Sequence, residues 1–181
     1  MSIKTLASQH GFRVVARADD EKAKAKYELT EKTKNVGGRT LYRIVALDDI
    51  TVNQHLTVHE GELGGFIESE KNLSQVGNAW VDGSACVWDD AVVSEKAWIH
   101  GEARISGTAQ VKGRAQVRGN VVIKGSAVIK DDVKVYGKVV VSGSTVLSGN
   151  VDVGGSFSIE DLKIKGDDKI RSAADLKKFE K

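Results

Sequence analysis

The sequence has no proline and only one cysteine, Cys86, and its aromatic residues are three tryptophans, three tyrosines and four phenylalanines. A single cysteine excludes an internal disulfide and a zinc site built from cysteines. The formal net charge of +2 is too small for a mimic of nucleic acid and does not mark a nucleic-acid-binding protein. Apolar residues at 40% and charged residues at 29% are typical of a globular domain and exclude a disordered tail or a coiled-coil rod.

Long apolar runs are also absent. No stretch of about eighteen apolar residues occurs, and Met1–Thr5 is not followed by the apolar core of a signal peptide. These two absences predict a cytoplasmic protein with no membrane partner.

A six-residue repeat of the form A-x-V-x-G-x dominates the chain from Ala79 onward, as in AWVDGS, AWIHGE and AQVKGR. The first position is Ala or Val in most hexads, and the fifth is usually Gly, with Asp89, Asp131 and Asp161 as substitutes and Glu95 as an exception. The third position is branched and apolar in fourteen consecutive hexads: Val81, Val87, Val93, Ile99, Ile105, Val111, Val117, Ile123, Ile129, Val135, Val141, Leu147, Val153 and Ile159.

Each hexad predicts one short strand followed by a corner. The first and third residues of an extended strand point to the same side, and Gly or Asp two positions later tolerates the positive φ of a sharp corner. One coil cannot bury its own inner surface, so coils must stack about 4.8 Å apart through parallel ladders. The unchanging six-residue spacing favours an all-β, three-sided parallel β-helix over an antiparallel sheet with hairpins, and fourteen hexads predict four to five coils.

These hexads resemble the hexapeptide-repeat superfamily of β-helices, whose members include bacterial acyltransferases and gamma-class carbonic anhydrases. The resemblance implies a left-handed helix with three hexads in each coil. The segments TLYRIVALDDI (Thr40–Ile50) and GELGGFIESEKNLSQVGNAWV (Gly61–Val81) are similar to YdcK-like proteins of enterobacteria and their phages. That likeness covers roughly Tyr27 to Ile159 and implies a fold rather than an activity.

The flanking regions predict three segments. Residues 1–62 form an N-terminal β cap with a flexible start, residues 63–165 the β-helix, and residues 166–181 a short C-terminal helix beginning after Ser172, with Asp175 completing a capping box. Within the cap, Phe12–Arg17 alternates as a strand would, Ala18–Lys26 is a charged linker or short helix, and Gly37-Gly38 predicts a β-hairpin between Tyr27–Thr30 and Thr40–Leu47.

The outward positions predict a binding surface on one face. Because positions eighteen apart stack, Trp80 lies under Trp98, and Asp82 lies under His100, followed by Arg118 and Tyr136. One interpretation is a solvent-facing ladder of favourable cross-strand pairs. The other is a contact surface centred on the two tryptophans, since exposed stacked tryptophans are typical of interface anchors.

Outward valines on the other two faces predict self-association. Val122 and Val140 share one face, and Val92, Val128 and Val146 share the other. Valine stripes on a solenoid are typical of subunit packing with closed cyclic symmetry. Relatives of the hexapeptide-repeat type are commonly trimers, so a homotrimer is expected and a dimer is the alternative.

Catalysis and metal binding are less favoured by the sequence. An acyltransferase would use acetyl-CoA and a general base. His100 is then the base, Asp82 orients its imidazole, and Trp98 forms one wall of the site. However, no loop interrupts the repeats to form such a site. His55 and His59 have a spacing that suggests a metal site but lack a third ligand, so no metal is expected. Cys86 points outward near a corner with no cationic partner evident, and its presence is read as incidental.

Nucleic-acid binding is the second alternative. The basic residues of the coils are scattered over all three faces: Arg104, Lys112, Arg114, Arg118, Lys124, Lys130 and Lys134. Lysine or arginine on a strand also protects its edge against sheet association. The sequence therefore favours a non-catalytic binding or structural protein without a cofactor, of phage or prophage type by resemblance. Such a protein engages, and is able to inhibit, a host protein.

Overall fold

The structure is a computed structural model that describes residues 24–180. The predicted strand at Phe12–Arg17, most of the charged Ala18–Lys26 segment and Lys181 lie outside the described residues.

The first five strands form an N-terminal unit: β1 (Tyr27–Val36), β2 (Arg39–Ala46), β3 (Ile50–Asn53), β4 (Leu56–Val58) and β5 (Leu63–Ile67). β1 and β2 pair antiparallel around Gly37 and Gly38, whose φ angles are 58° and 81°. Two consecutive left-handed residues form the tight turn that matches the twist of a hairpin. The hairpin predicted from Gly37-Gly38 is confirmed.

The solenoid is made of strands of two to four residues, continuing the parallel ladder that β5 begins. They are β6 (Trp80–Val81), β7 (Cys86–Val87), β8 (Val92–Val93), β9 (Trp98–Ile99), β10 (Arg104–Ile105), β11 (Gln110–Val111), β12 (Gln116–Gly119), β13 (Val122–Ile123), β14 (Val128–Ile129), β15 (Lys134–Gly137), β16 (Val140–Ser142), β17 (Val146–Gly149), β18 (Asp152–Gly155), β19 (Ser158–Glu160), β20 (Lys163–Gly166) and β21 (Lys169–Ile170).

Three sheets form the sides of the solenoid, and the prediction of a three-sided parallel β-helix is confirmed. Face I has the order β1-β2-β5-β7-β10-β13-β16-β19, face II the order β8-β11-β14-β17-β20, and face III the order β6-β9-β12-β15-β18-β21. Neighbouring strands of the solenoid faces hydrogen-bond from coil to coil, as from Trp80 N to Ala97 O at 2.9 Å.

The solenoid has about six turns, more than the four to five predicted. The extra length lies at both ends. At the start, β5 pairs parallel with β7, so Phe66 and Ile67 already occupy a coil. At the end, β20 and β21 continue the ladders after the repeat shortens by one residue, since Val146 pairs with Lys163.

The interior contains the alanines and branched residues of the repeat. Ala103, Ile105, Ala109 and Val111 are all 0% exposed, as are the equivalent residues of neighbouring coils. Small and branched side chains alternate at most inward positions of the hexads, and Phe157 is an aromatic exception that packs, partly buried, against the core. Burial of this continuous apolar column is the main stabilising term of the fold.

The corners need left-handed backbone. Gly113 has φ +71°, and a Cβ there would approach Asp131 N to 2.5 Å, so a side chain at Gly113 would collide with the next coil. Asp89, Glu95 and Asp131 adopt positive φ without being glycine, as does Asp161. The carboxylates of Asp89, Glu95 and Asp131 accept backbone N–H groups from the next coil, for example Asp131 Oδ2 from Gly149 N at 3.0 Å, whereas Asp161 accepts from Ser144 N of the preceding coil at 2.7 Å.

A short 3₁₀ helix, Ala173–Leu176, follows the last coil. The Asp175 carboxylate accepts hydrogen bonds from Arg171 N at 2.8 Å and Ser172 N at 3.0 Å, which confirms the predicted capping box. Leu176 is buried, and the helix contacts β19 and β21. The C-terminal helix is thus a single turn that lies against the strands of the last coil.

Candidate functional site: a groove along face III

The site begins with the β3–β4 hairpin, which was not predicted from the sequence. Its burial alternates: Ile50, Val52 and Val58 are buried in the main hydrophobic core, whereas Thr51 is exposed. Asn78 Nδ2 donates to Thr51 O at 2.7 Å and ties the hairpin to the first coil. The hairpin is therefore a fixed wall beside face III.

Trp80 does not form an exposed patch with Trp98. It is 0% exposed, because the strands of the N-terminal unit cross over it. A Cβ at Gly64 of β5 would lie 2.7 Å from Cζ2 of Trp80 and 2.6 Å from Cγ1 of Ile44. Glycine at position 64 thus permits the close approach of β5 to the indole, and Trp80 belongs to the core.

Trp98, directly above Trp80 in the ladder, is half-buried and stacks on His100. The two rings lie 3.9 Å apart between centroids, with 14° between their planes. The Trp98 Nε1 atom is buried and has no hydrogen-bond partner among the described residues. Trp98 is the aromatic residue of the predicted pair that reaches the surface.

The predicted column of Asp82, His100, Arg118 and Tyr136 is present in register on face III. The Arg118 guanidinium lies 4.9 Å from the centroid of the Tyr136 ring, within the range of cation–π attraction. Arg171 also lies over this ring, at 5.5 Å. The Tyr136 ring of this column therefore contacts two arginine side chains, and His100 of the same column stacks on Trp98.

His100 and Asp82 do not form the hydrogen-bonded pair that an acid–base site would need. Burial lowers the pKa of His100; the Asp82 carboxylate opposes this shift and the Arg118 cation adds to it. The Asp82 Oδ1 atom accepts instead from Gly83 N at 2.7 Å. Burial therefore favours the neutral form of His100, whose ring is fixed by stacking on Trp98 rather than by a carboxylate.

A groove of about 770 Å³ runs along face III, at the corner where the chain arrives from face II. Its floor is a single ladder column, in which each residue pairs with the next: Trp98, Gln116, Lys134, Asp152 and Lys169. The adjoining corner column forms one wall: Asn78, Lys96, Arg114, Asp132, Asn150 and Asp167. The β3–β4 hairpin adds Thr51, Val52, Asn53, Gln54 and His55 to the lining.

Most of the groove was not predicted. The corner column could have been found from the sequence, because Lys96, Arg114, Asp132 and Asn150 recur every eighteen residues. Without the β3–β4 hairpin, however, this column of polar residues does not indicate a groove. Gln54 and His55 form the turn of β3–β4, which lacks the glycine that marks a tight turn, although Ile50, Val52, Leu56 and Val58 alternate with polar residues on either side of it.

Three polar contacts within the groove neutralise or fix its carboxylates. Arg114 binds Asp132 through two hydrogen bonds of 2.5 Å and 2.7 Å. Asp152 Oδ1 lies 3.2 Å from the Nη1 atom of Arg171. Asn150 Nδ2 donates to Asp167 at 2.7 Å. In contrast, Lys96, Lys134 and Lys169 form no ion pair within the described residues.

The predicted interface valines are half-buried on the outer sides of faces I and II. Val122 pairs with Val140 on face I, and Val128 pairs with Val146 on face II. Val92 is separated from Val128 by Gln110 in the same ladder. The structure thus places two compact valine stripes on two different faces.

Cys86 lies outside the solenoid interior, as predicted, but it is only 1% exposed. Leu41 and Phe66 cover it. Burial raises the pKa of its thiol, and the nearby Lys34 opposes this shift, so the prediction that no cation lies near Cys86 was wrong. A covered, protonated thiol is an apolar packing group rather than a nucleophile.

His55 lies in the β3–β4 turn, whereas His59 follows β4 at the opposite end of the hairpin, where its Nδ1 atom is 3.4 Å from Asp49. Residues 24–180 contain no group of three His, Cys, Asp or Glu side chains arranged to hold a metal ion. No helix in that part of the chain is long and apolar enough to cross a bilayer.

The chain was compared with protein-family models and with curated proteins, and neither comparison gives a match. The resemblance to the hexapeptide-repeat superfamily and to YdcK-like proteins therefore stays a prediction.

Proposed function

We propose that this protein is a non-catalytic binding protein that engages a partner protein through the face III groove. The observation that carries the proposal is the groove itself, about 770 Å³ in volume, with Trp98 in its floor and hydrogen-bonded polar groups along its wall. Half-buried aromatic residues surrounded by fixed polar groups are typical of interface hot spots. The β3–β4 hairpin is held in place without a partner, so the ordering cost of binding is small.

The setting of this function follows from the resemblance alone. We infer a phage or prophage protein that acts in the cytoplasm of an enterobacterial host and inhibits the host protein it binds. The groove supports the binding step of this proposal. The host protein itself is to be identified by capture from a host lysate.

Acyl transfer with acetyl-CoA is the alternative, and the lowered pKa of the half-buried His100 is the feature that favours it. A neutral imidazole is able to accept a proton from an acceptor hydroxyl or amine. However, the His100 ring is stacked on Trp98, and Asp82 is hydrogen-bonded to its own neighbour Gly83. Binding is therefore the better supported function.

The proposal is tested by capture from host lysate followed by titration with the purified partner. We expect stoichiometric binding that weakens at least about tenfold in Gln116→Trp, because an indole at this position fills the groove without removing a core contact. Trp98→Ala should have the same effect, and the control Gln110→Ala, which lies on face II, should leave the affinity unchanged.

A thermal-shift assay with acetyl-CoA separates the two functions. Binding predicts no change in melting temperature with acetyl-CoA. A raised melting temperature, together with acyl transfer that is lost in His100→Ala, would overturn the proposal in favour of catalysis. A captured partner whose affinity is the same for wild type and Gln116→Trp would remove the groove from the proposed function.

A further inference from the structure

Three lysines line the groove at regular intervals. Lys96 follows the corner beside Trp98, Lys134 lies two strands further along the ladder, and Lys169 lies two strands beyond Lys134. Lys134 and Lys169 belong to the floor and are exposed. Since neighbouring strands are about 4.8 Å apart, successive lysines are separated along the groove by roughly 10 Å.

Arginines pair with two of the three negative charges between these lysines, and a neutral amide donates a hydrogen bond to the third. Asp132 is held by Arg114, Asp152 lies beside Arg171, and Asp167 accepts from Asn150. The lysine ammonium groups have no such partner in residues 24–180 and remain available to a ligand. The groove therefore presents positive charge at intervals rather than continuously.

This spacing matches an extended peptide. A chain in the extended polyproline II conformation rises about 3.1 Å per residue with three residues per turn. Every third side chain therefore lies on the same side and recurs about every 9 Å, close to the distance between successive lysines. Gln116 lies between the levels of Lys96 and Lys134, and its amide carries both donors and acceptors for a peptide backbone.

A single-stranded nucleic acid fits less well. It carries a negative charge at every nucleotide, and Asp132, Asp152 and Asp167 would face phosphates that lie between the lysine levels. Nucleic-acid channels of this kind combine a continuous positive groove with several stacking aromatics, whereas Trp98 is the only aromatic residue in the described lining of this groove.

We propose that the groove binds an extended acidic peptide segment whose Asp or Glu residues recur at every third position and pair with Lys96, Lys134 and Lys169. This inference rests on the proposed function and names the chemistry of the partner. The segment runs along the solenoid axis, and its remaining side chains face the neutral and already paired groups of the groove.

The test uses fluorescently labelled nine-residue peptides and the full chain, with affinity measured by anisotropy. One peptide carries Glu at positions 2, 5 and 8 among Ser and Ala. A second has the same composition with Glu at positions 4, 5 and 6, and a third replaces every Glu with Gln. We expect the first peptide to bind tightest, and its affinity to fall as salt is raised.

The matched protein variants are Lys134→Ala with Lys169→Ala in the groove, and Lys112→Ala with Lys130→Ala on face II. Both pairs remove two positive charges from the surface. We expect the groove pair to weaken binding of the first peptide about tenfold or more and the face II pair to change it less than about twofold. Thermal melts check that both variants are folded.

Three outcomes would overturn the inference: no binding of the first peptide, equal affinity for the first two peptides, or equal losses in the two protein variants. A fourth is tighter binding of an oligo-dT strand with the same dependence on Lys134 and Lys169, which would identify a nucleic-acid groove. If peptides fail but the captured partner still depends on Gln116 and Trp98, only this inference falls and the proposed function stands.

Discussion

At the scale of single residues, adjacent positions of one hexad have opposite environments. Val111 is 0% exposed within the solenoid, whereas the preceding Gln110 is exposed on face II. The two residues share one strand, the same coil and the same corner glycine, Gly113. They differ only in the side of the strand to which the side chain points, so they form a matched pair for testing the core.

We expect Val111→Asp to prevent cooperative folding, since it places a carboxylate in a dry column that offers no partner. The cost is at least about 3 kcal/mol, comparable to an uncompensated buried charge. Gln110→Asp should shift the free energy of unfolding by about 0.5 kcal/mol or less, as is usual for exposed positions. Urea denaturation followed by circular dichroism measures both, and a cooperatively folded Val111→Asp with a wild-type midpoint would contradict the inward register.

At the scale of elements, the start of β1 is fixed by a buried lysine. Lys26 Nζ donates to Ala79 O at 2.8 Å and to Gly77 O at 3.1 Å, and thereby connects the N-terminal hairpin to the first coil. Burial lowers the pKa of Lys26 to about 8. The charged amine therefore costs stability in the folded state, and this cost is relieved only when the amine loses its proton.

This shift predicts a rise in stability with pH that begins near pH 8. Above that pH the folded protein releases the Lys26 proton, whereas the unfolded chain keeps it until its ordinary pKa of 10.5. The unfolded state then binds more protons, so the free energy of unfolding increases with pH. Cys86 and Tyr27 oppose this rise above about pH 9, because burial raises the pKa of both groups.

The comparison of wild type with Lys26→Met isolates the effect. The opposing groups are common to both proteins, so the difference between their free energies of unfolding should change between pH 7.5 and 9.5, with wild type gaining stability relative to the variant. Two curves that run parallel over this interval would show that Lys26 keeps its ordinary pKa.

The elements also show how far the sequence predicts this molecule. Hexads and the Gly37-Gly38 turn were predictable because they are local patterns with a fixed period or a required φ. The burial of Trp80 was not, because it depends on Gly64 bringing a distant strand over the indole. The coil after Leu162 was missed since the spacing shortens by one residue there, and the groove required the β3–β4 hairpin, whose Gln54-His55 turn has no glycine.

At the scale of the whole molecule, the two valine stripes lie on different faces. Val122 and Val140 are on face I, and Val128 and Val146 are on face II. A twofold dimer uses the same patch on both subunits, whereas a ring joins one patch to a different patch on the next subunit. Two unlike stripes on adjoining faces fit the ring, and the predicted resemblance to hexapeptide-repeat proteins leads us to expect three subunits.

We expect wild type to have a mass about three times the 19.5 kDa of one chain in size-exclusion chromatography with light scattering. Val122→Lys with Val140→Lys should yield monomers, and so should Val128→Lys with Val146→Lys, because each ring contact needs both stripes. The control pair Glu102→Lys with Asn120→Lys adds lysines at exposed positions of another corner and should leave the trimer intact. A monomeric wild type would refute self-association through the stripes, whereas a dimer abolished by only one valine pair would identify a twofold contact on that face.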